Sequence, residues 1–294
     1  MNTKKLVFEG CATALVTPFK DGKIDFKALS RLIDFQVENG ASALVILGTT
    51  GESPCVDFDE RDEIVAFAKN AINGRVPMLV GTGTNNTKTS IKLTQSAEKL
   101  GADGALLVTP YYNKATQIGI CEHYKEIAKS TALPLILYNV PSRTSLKLGC
   151  EALEGLCDIE NIVGVKEASG DAGEFEEKIS RFGEHFHFYT GCDELILRSY
   201  ALGGRGVISA TSNVIPAKIA ALCELCAKND AENAKNLALE IAPLISEMFA
   251  EVNPIPVKCA LSLMGICENE IRLPLTPSTR QAQIKAELSR LAFI

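Results

Sequence analysis

The stretch from Asn161 to Asp171, NIVGVKEASGD, sets a lysine at the end of what reads as a buried strand. An ammonium group in apolar surroundings is costly unless it is paired or gives up its proton. An unperturbed lysine has a pKa near ~10.4, so about 1 in 2,500 is neutral at pH 7. Desolvation lowers that pKa, and a neutral amine attacks carbonyl carbon to form a Schiff base. Lys166 can instead be an ion-pair partner of Glu167 beside it. Neighbouring strand residues point in opposite directions, which turns Glu167 away and favours the nucleophile.

Imine formation moves several protons, and hydroxyls can carry them. Tyr138 ends the apolar run before that of Lys166, so the two strand ends are expected to be neighbours. Thr49 and Thr50 lie in the Gly-flanked turn GTTGE, which can offer N–H groups and hydroxyls to a carboxylate. Tyr138 also fits an ordinary core tyrosine, and GTTGE an ordinary turn. Polar residues at five strand ends together favour a site over a run of accidents.

The elements that must position these groups follow a simple unit: helical stretch, glycine, apolar run. Eight apolar runs recur at 12–18, 43–48, 77–83, 104–110, 134–140, 162–168, 186–191 and 206–211. They are nearly continuous rather than alternating, as strands buried on both faces are. Helical patterns such as 57–74 and 87–101 separate them, which implies a parallel sheet. The fold class is α/β: a (β/α)8 TIM barrel over 1–230, with additional C-terminal helices over 231–294. Those helices fall at 231–252, 255–265 and 279–293. No Gly/Ser-rich linker precedes them, so they are expected to pack on the barrel rather than fold alone. Functional groups of such a barrel sit at the carboxyl ends of its strands.

Other chemistries fit less well. No single strand carries a carboxylate pair, against a two-carboxylate hydrolase. His185 and His187 could share a metal, but they lie at the entry of their strand. No metal or organic cofactor is expected. The pair Cys223–Cys226 has no second half-site and reads as thiols on a helix. The 294 residues carry 30 basic and 36 acidic side chains, net charge −6, with no basic block. Nucleic acid and anionic membranes are therefore not expected partners. No export signal or membrane span is read, so the expected location is cytoplasmic, and the ten cysteines are expected to be reduced.

The segments GASALVILGTTGE (40–52), YNVPSRT (138–144) and VGVKEAS (163–169) together resemble the dihydrodipicolinate synthase/N-acetylneuraminate lyase family of class I aldolases. The resemblance runs from ATALVTPF (12–19) to NPIPVK (253–258). It implies a pyruvate imine on Lys166, with Tyr138 as proton shuttle linked to Thr49. Tyr112 would complete the relay from the neighbouring subunit of a tight dimer, the whole being a homotetramer built from such dimers. Thr50 would hold the pyruvate carboxylate, and Gly191 and Ile208 would line the pocket. Arg143 stands where the synthase branch meets the carboxylate of L-aspartate 4-semialdehyde, and lyases such as N-acetylneuraminate lyase lack it. A guanidinium suits that fork-shaped partner. Ser53, Pro54, Asn85 and Tyr111 fall at the family's effector site for lysine. Phe58, Arg61 and Thr89 depart from its pattern, and the loss of a carboxylate beside an added arginine disfavours a cationic effector. A sugar-derived aldehyde is the alternative to the semialdehyde. A non-catalytic barrel is the third reading, although neither Lys166 nor Tyr138 is missing.

Overall fold

The computed structural model describes residues 4–294. Eight parallel strands close into a barrel: β1 (Gly10–Ala14), β2 (Ala43–Ile46), β3 (Met78–Gly81), β4 (Gly104–Val108), β5 (Leu135–Asn139), β6 (Ile162–Glu167), β7 (His187–Thr190) and β8 (Gly206–Ser209). Each pairs with its neighbour in sequence, and β8 pairs with β1. Helices lie between consecutive strands, including Phe58–Ile72, Thr87–Lys99 and Gln117–Lys129. Three more, Ala231–Met248, Ile255–Leu263 and Gln281–Arg290, follow the last barrel helix, Pro216–Ala227. The strand ends fall short of the apolar runs. The largest difference is at β1, which opens at Gly10 and ends at Ala14 rather than spanning 12–18. Its opening is set by backbone contact with β8, where a Cβ on Gly206 would lie 2.0 Å from the Gly10 carbonyl oxygen. The hairpin Phe19–Lys20/Lys23–Ile24, which periodicity does not signal, follows.

The core has two compartments. One fills the barrel with Ala12, Ala43, Val45, Leu79, Ile136, Val163 and Ile208; Phe8 stacks on Tyr189 there at 4.3 Å. The other lies between strands and helices. The boundary between them shows how Lys166 comes to face inward. The β5–β6 register jumps from Leu135–Ile162 to Ile136–Gly164, leaving Val163 as an extra residue. Ile162 and Val165 therefore both belong to the outer core, and Val163 to the inner one. Without this bulge the alternation begun at Ile162 would turn Lys166 outward; with it, Lys166 faces the barrel. Gly164 permits the close pairing, because a Cβ there would meet the His187 carbonyl oxygen at 2.8 Å.

Candidate active site

Lys166 is buried at the carboxyl end of β6, directly across from Tyr138 in the strand register. Its Nζ sits 4.3 Å from the centre of the Tyr138 ring. It forms no ion pair with a carboxylate among the described residues. Glu167 faces the other way and is fully engaged: Lys178 Nζ at 2.6 Å, Asn139 Nδ2 at 2.8 and 2.9 Å, and the Ser169 N–H at 2.8 Å. The nearest carboxylate in sequence thus serves the outer layer. Beside the lysine stem runs Gly191, where a Cβ would come within 2.6 Å of Lys166 Cε and 2.7 Å of Ala168 Cβ. The missing side chain is the space the lysine occupies.

These groups open on a cavity of about 280 Å³ whose wall includes Thr49, Thr50, Tyr138, Arg143, Lys166, Gly191 and Ile208. All seven residues expected in one pocket are therefore brought together. No direct hydrogen bond joins the hydroxyls of Thr49 and Tyr138 among the described residues; they share the cavity wall. The GTTGE turn is tight, with Gly51 N–H donating to the Gly48 carbonyl and Glu52 N–H to that of Thr49. It is pinned from beneath by a fully buried ion pair, Glu52 to Lys258 at 2.5 Å. Lys258 lies 4.0 Å over the Phe19 ring, and burial pulls its pKa below the ordinary lysine value against the opposing charge of Glu52.

Two residues that sequence reading missed belong to this site. Asn253, between the helices Ala231–Met248 and Ile255–Leu263, also lines the cavity. Its Nδ2 donates to Thr50 Oγ1 at 2.9 Å, and its main-chain carbonyl accepts from Arg143 Nη2 at 3.0 Å. One residue thereby ties together both candidate carboxylate anchors. Asp193, buried behind the β7 end, accepts from the Thr211 N–H at 3.0 Å. Burial raises its pKa, against hydrogen bonds from Thr211 and Ser209 and the charge of Lys166. The signal for Asp193 was its place one turn past a strand end; Asn253 lies outside the strand series, and its signal was the NPIPVK segment (253–258) that carries the resemblance without assigning this residue a role.

A second cavity, about 380 Å³, adjoins the first and shares Thr49, Tyr138 and Arg143 with it. Ser53, Pro54, Phe58, Arg61, Thr89 and Tyr111 line it. Asn85, expected with them, does not; its carbonyl accepts instead from Asn113 Nδ2 at 3.0 Å. The buried Arg61 donates to the Ser53 carbonyl and hydroxyl and to the Gly81 carbonyl. Burial pushes its pKa down to about 10. Tyr112 lines neither cavity: it is 90% exposed and holds a left-handed backbone, φ 71°. The histidines are remote in role. His123 bonds Thr87 Oγ1 at 3.0 Å and His187 bonds the Lys4 carbonyl at 3.0 Å, at the opposite end of β7 from Gly191.

A closed barrel with a buried lysine and tyrosine at its carboxyl rim, flanked by hydroxyl and guanidinium anchors, has the build of a class I aldolase barrel. Residues 7–291 match the model of the dihydrodipicolinate synthetase family. The chain belongs to that family. It is 48% identical over 271 residues to the 4-hydroxy-tetrahydrodipicolinate synthase of Alkaliphilus oremlandii, covering 92% of this chain and 93% of that one. The enzyme of the same name from Thermotoga neapolitana is 44% identical over 279 residues, covering 94% and 95%. The crystal structure of dihydrodipicolinate synthase from Thermotoga maritima superposes with a TM-score of 0.96 at 41% identity, covering 98% and 100%.

Proposed function

We propose that this chain is a 4-hydroxy-tetrahydrodipicolinate synthase, condensing pyruvate with L-aspartate 4-semialdehyde. The observation that carries the reading is the meeting of Lys166, Tyr138, Thr50 and Arg143 on one cavity. Thr50 holds the pyruvate carboxylate and sets the ketone carbon before Lys166. Nζ attacks that carbon, water leaves, and an imine forms. Tyr138 relays the protons, with Thr49 and the Tyr112 of a second subunit completing the relay. Loss of a methyl proton gives the enamine, whose carbon attacks the aldehyde while Arg143 holds the aldehyde's carboxylate. The substrate amine then bonds to the imine carbon, the bond to Nζ breaks, and Lys166 is regenerated. No step calls for a metal or organic cofactor.

The proposed setting is a cytoplasmic homotetramer built from tight dimers, with the helices after residue 230 acting as part of the barrel unit. The exposure of Tyr112 supports the dimer, since an exposed tyrosine in a constrained backbone suits insertion into a neighbour. Among the described residues no helix is long and apolar enough to cross a membrane. The test is pyruvate consumption with L-aspartate 4-semialdehyde by the protein and by Lys166→Ala. Turnover by the first and its loss in the second is expected. Turnover only with N-acetylmannosamine would move the chain to the lyase branch.

A further inference from the structure

Asn253 is 9% exposed and lines the Lys166 cavity, and two of its polar atoms are bonded to the two carboxylate anchors. Nδ2 donates to Thr50, and the main-chain carbonyl accepts from Arg143. Among the described residues, the side-chain oxygen Oδ1 is buried and has no hydrogen-bond partner. A buried amide carbonyl left unpaired is expensive, and such groups nearly always meet a donor. Nδ2 is turned to Thr50, which lines the same cavity as Asn253, and Oδ1 is the acceptor that this amide still has to offer.

The substrate geometry says which donor that is. In an α-amino acid carrying a terminal aldehyde, ammonium and carboxylate share one carbon. With the carboxylate on Arg143, the ammonium lies within a few ångströms of it. The same nitrogen must later reach the imine carbon, next to the carboxylate held by Thr50. Its path runs between Arg143 and Thr50, and Asn253 is the residue bonded to both. We infer that Asn253 Oδ1 accepts a hydrogen bond from the amine of the second substrate, so that this residue selects an aminated aldehyde and holds its nitrogen on the ring-closing path. The inference rests on the synthase reading above. A neutral amide accepts from the ammonium and, after deprotonation, from the amine, without binding the nitrogen so tightly that it cannot attack. Glu194 also lines the cavity, but it is solvent-exposed and needs no partner.

The experiment is steady-state kinetics of Asn253→Ala, Asn253→Asp and Glu194→Gln beside the unaltered protein. The aminated aldehyde is the substrate, and 4-oxobutanoate, the same aldehyde acid without the amine, the competing inhibitor. Borohydride trapping of the pyruvate imine reports an intact pocket. Loss of a charge-assisted hydrogen bond is expected to raise the aldehyde KM of Asn253→Ala by ~10–100-fold. The inhibition constant of 4-oxobutanoate stays within about threefold, because the analogue never made the contact. Equal weakening of both would make Asn253 a scaffold for Arg143 and overturn the inference, as would an unchanged aldehyde KM. Glu194→Gln reproducing the effect while Asn253→Ala stays silent would assign the amine to Glu194. Should Asn253→Ala fail to trap pyruvate, Asn253→Asp decides. It keeps an acceptor oxygen and is expected to preserve the preference for the aminated aldehyde over the analogue; losing that preference overturns the inference. Absence of turnover by the unaltered protein would instead sink the synthase reading, and the inference with it.

Discussion

Gly191 shows how narrow the tolerance around Lys166 is. A methyl group there meets Lys166 Cε at 2.6 Å, so the lysine stem must give way. The stem is flexible, so the fold survives while the amine is displaced. For Gly191→Ala we expect a fall in kcat/KM for pyruvate of about 100-fold, the scale of an ångström misplacement, with melting temperature nearly unchanged. Loss of stability in step with activity would instead mean that the barrel wall had moved. Arg61 makes the second residue-scale prediction. It lines the 380 Å³ cavity as a buried cation whose contacts are neutral oxygens. A cationic amino acid entering beside it meets like charge in a low-dielectric wall. Lysine is therefore expected to inhibit weakly or not at all, and a saturating sub-millimolar inhibition curve would refute this. At this scale most of the site was readable. Lys166, Tyr138, Thr49, Thr50, Arg143, Gly191 and Ile208 meet because parallel strands deliver their ends to one rim. Asn253 stood in the NPIPVK segment, but its contacts with Thr50 and Arg143 were not readable, because they depend on a bend between two outer helices that no strand pattern encodes.

Among the elements, β6 and the segment carrying Lys258 do the least obvious work. The apolar run identified β6, but its bulge at Val163 is a matter of pairing with β5, which periodicity does not record. Gly164 inside the strand was the available signal, since glycine there marks a bulge or a close backbone approach. The helix Ile255–Leu263 contributes the other half of the turn's support, through Lys258 and its pairing with Glu52. Both members are fully buried, so removing one leaves an uncompensated charge. Lys258→Met is expected to destabilise the protein by about 3–5 kcal/mol. Adding Glu52→Gln is expected to restore much of that loss, because no buried charge then remains unpaired. Denaturant titration of the single and double variants measures both, and a double variant no more stable than the single would mean that the pair acts through geometry rather than charge.

At the scale of the whole molecule, the question is where the exposed Tyr112 does its work. Within one chain its side chain lines neither cavity, while Tyr138 and Thr49 line both. If Tyr112 completes the relay across a dimer, each site takes Lys166 from one chain and Tyr112 from the other. Lys166→Ala and Tyr112→Phe homodimers are then both impaired, for different reasons. Co-expression of the two variants produces mixed dimers. In such a dimer one site carries both defects, and the other carries neither. Random pairing makes half of the dimers mixed, each with one intact site, so recovery to about a quarter of the unaltered activity is expected. A tyrosine acting within its own chain gives no such recovery, because every chain with Lys166 then lacks the Tyr112 hydroxyl. Separating the mixed species by two different affinity tags and assaying it alone sharpens the contrast to about half of the unaltered activity against about half of the residual level of Tyr112→Phe.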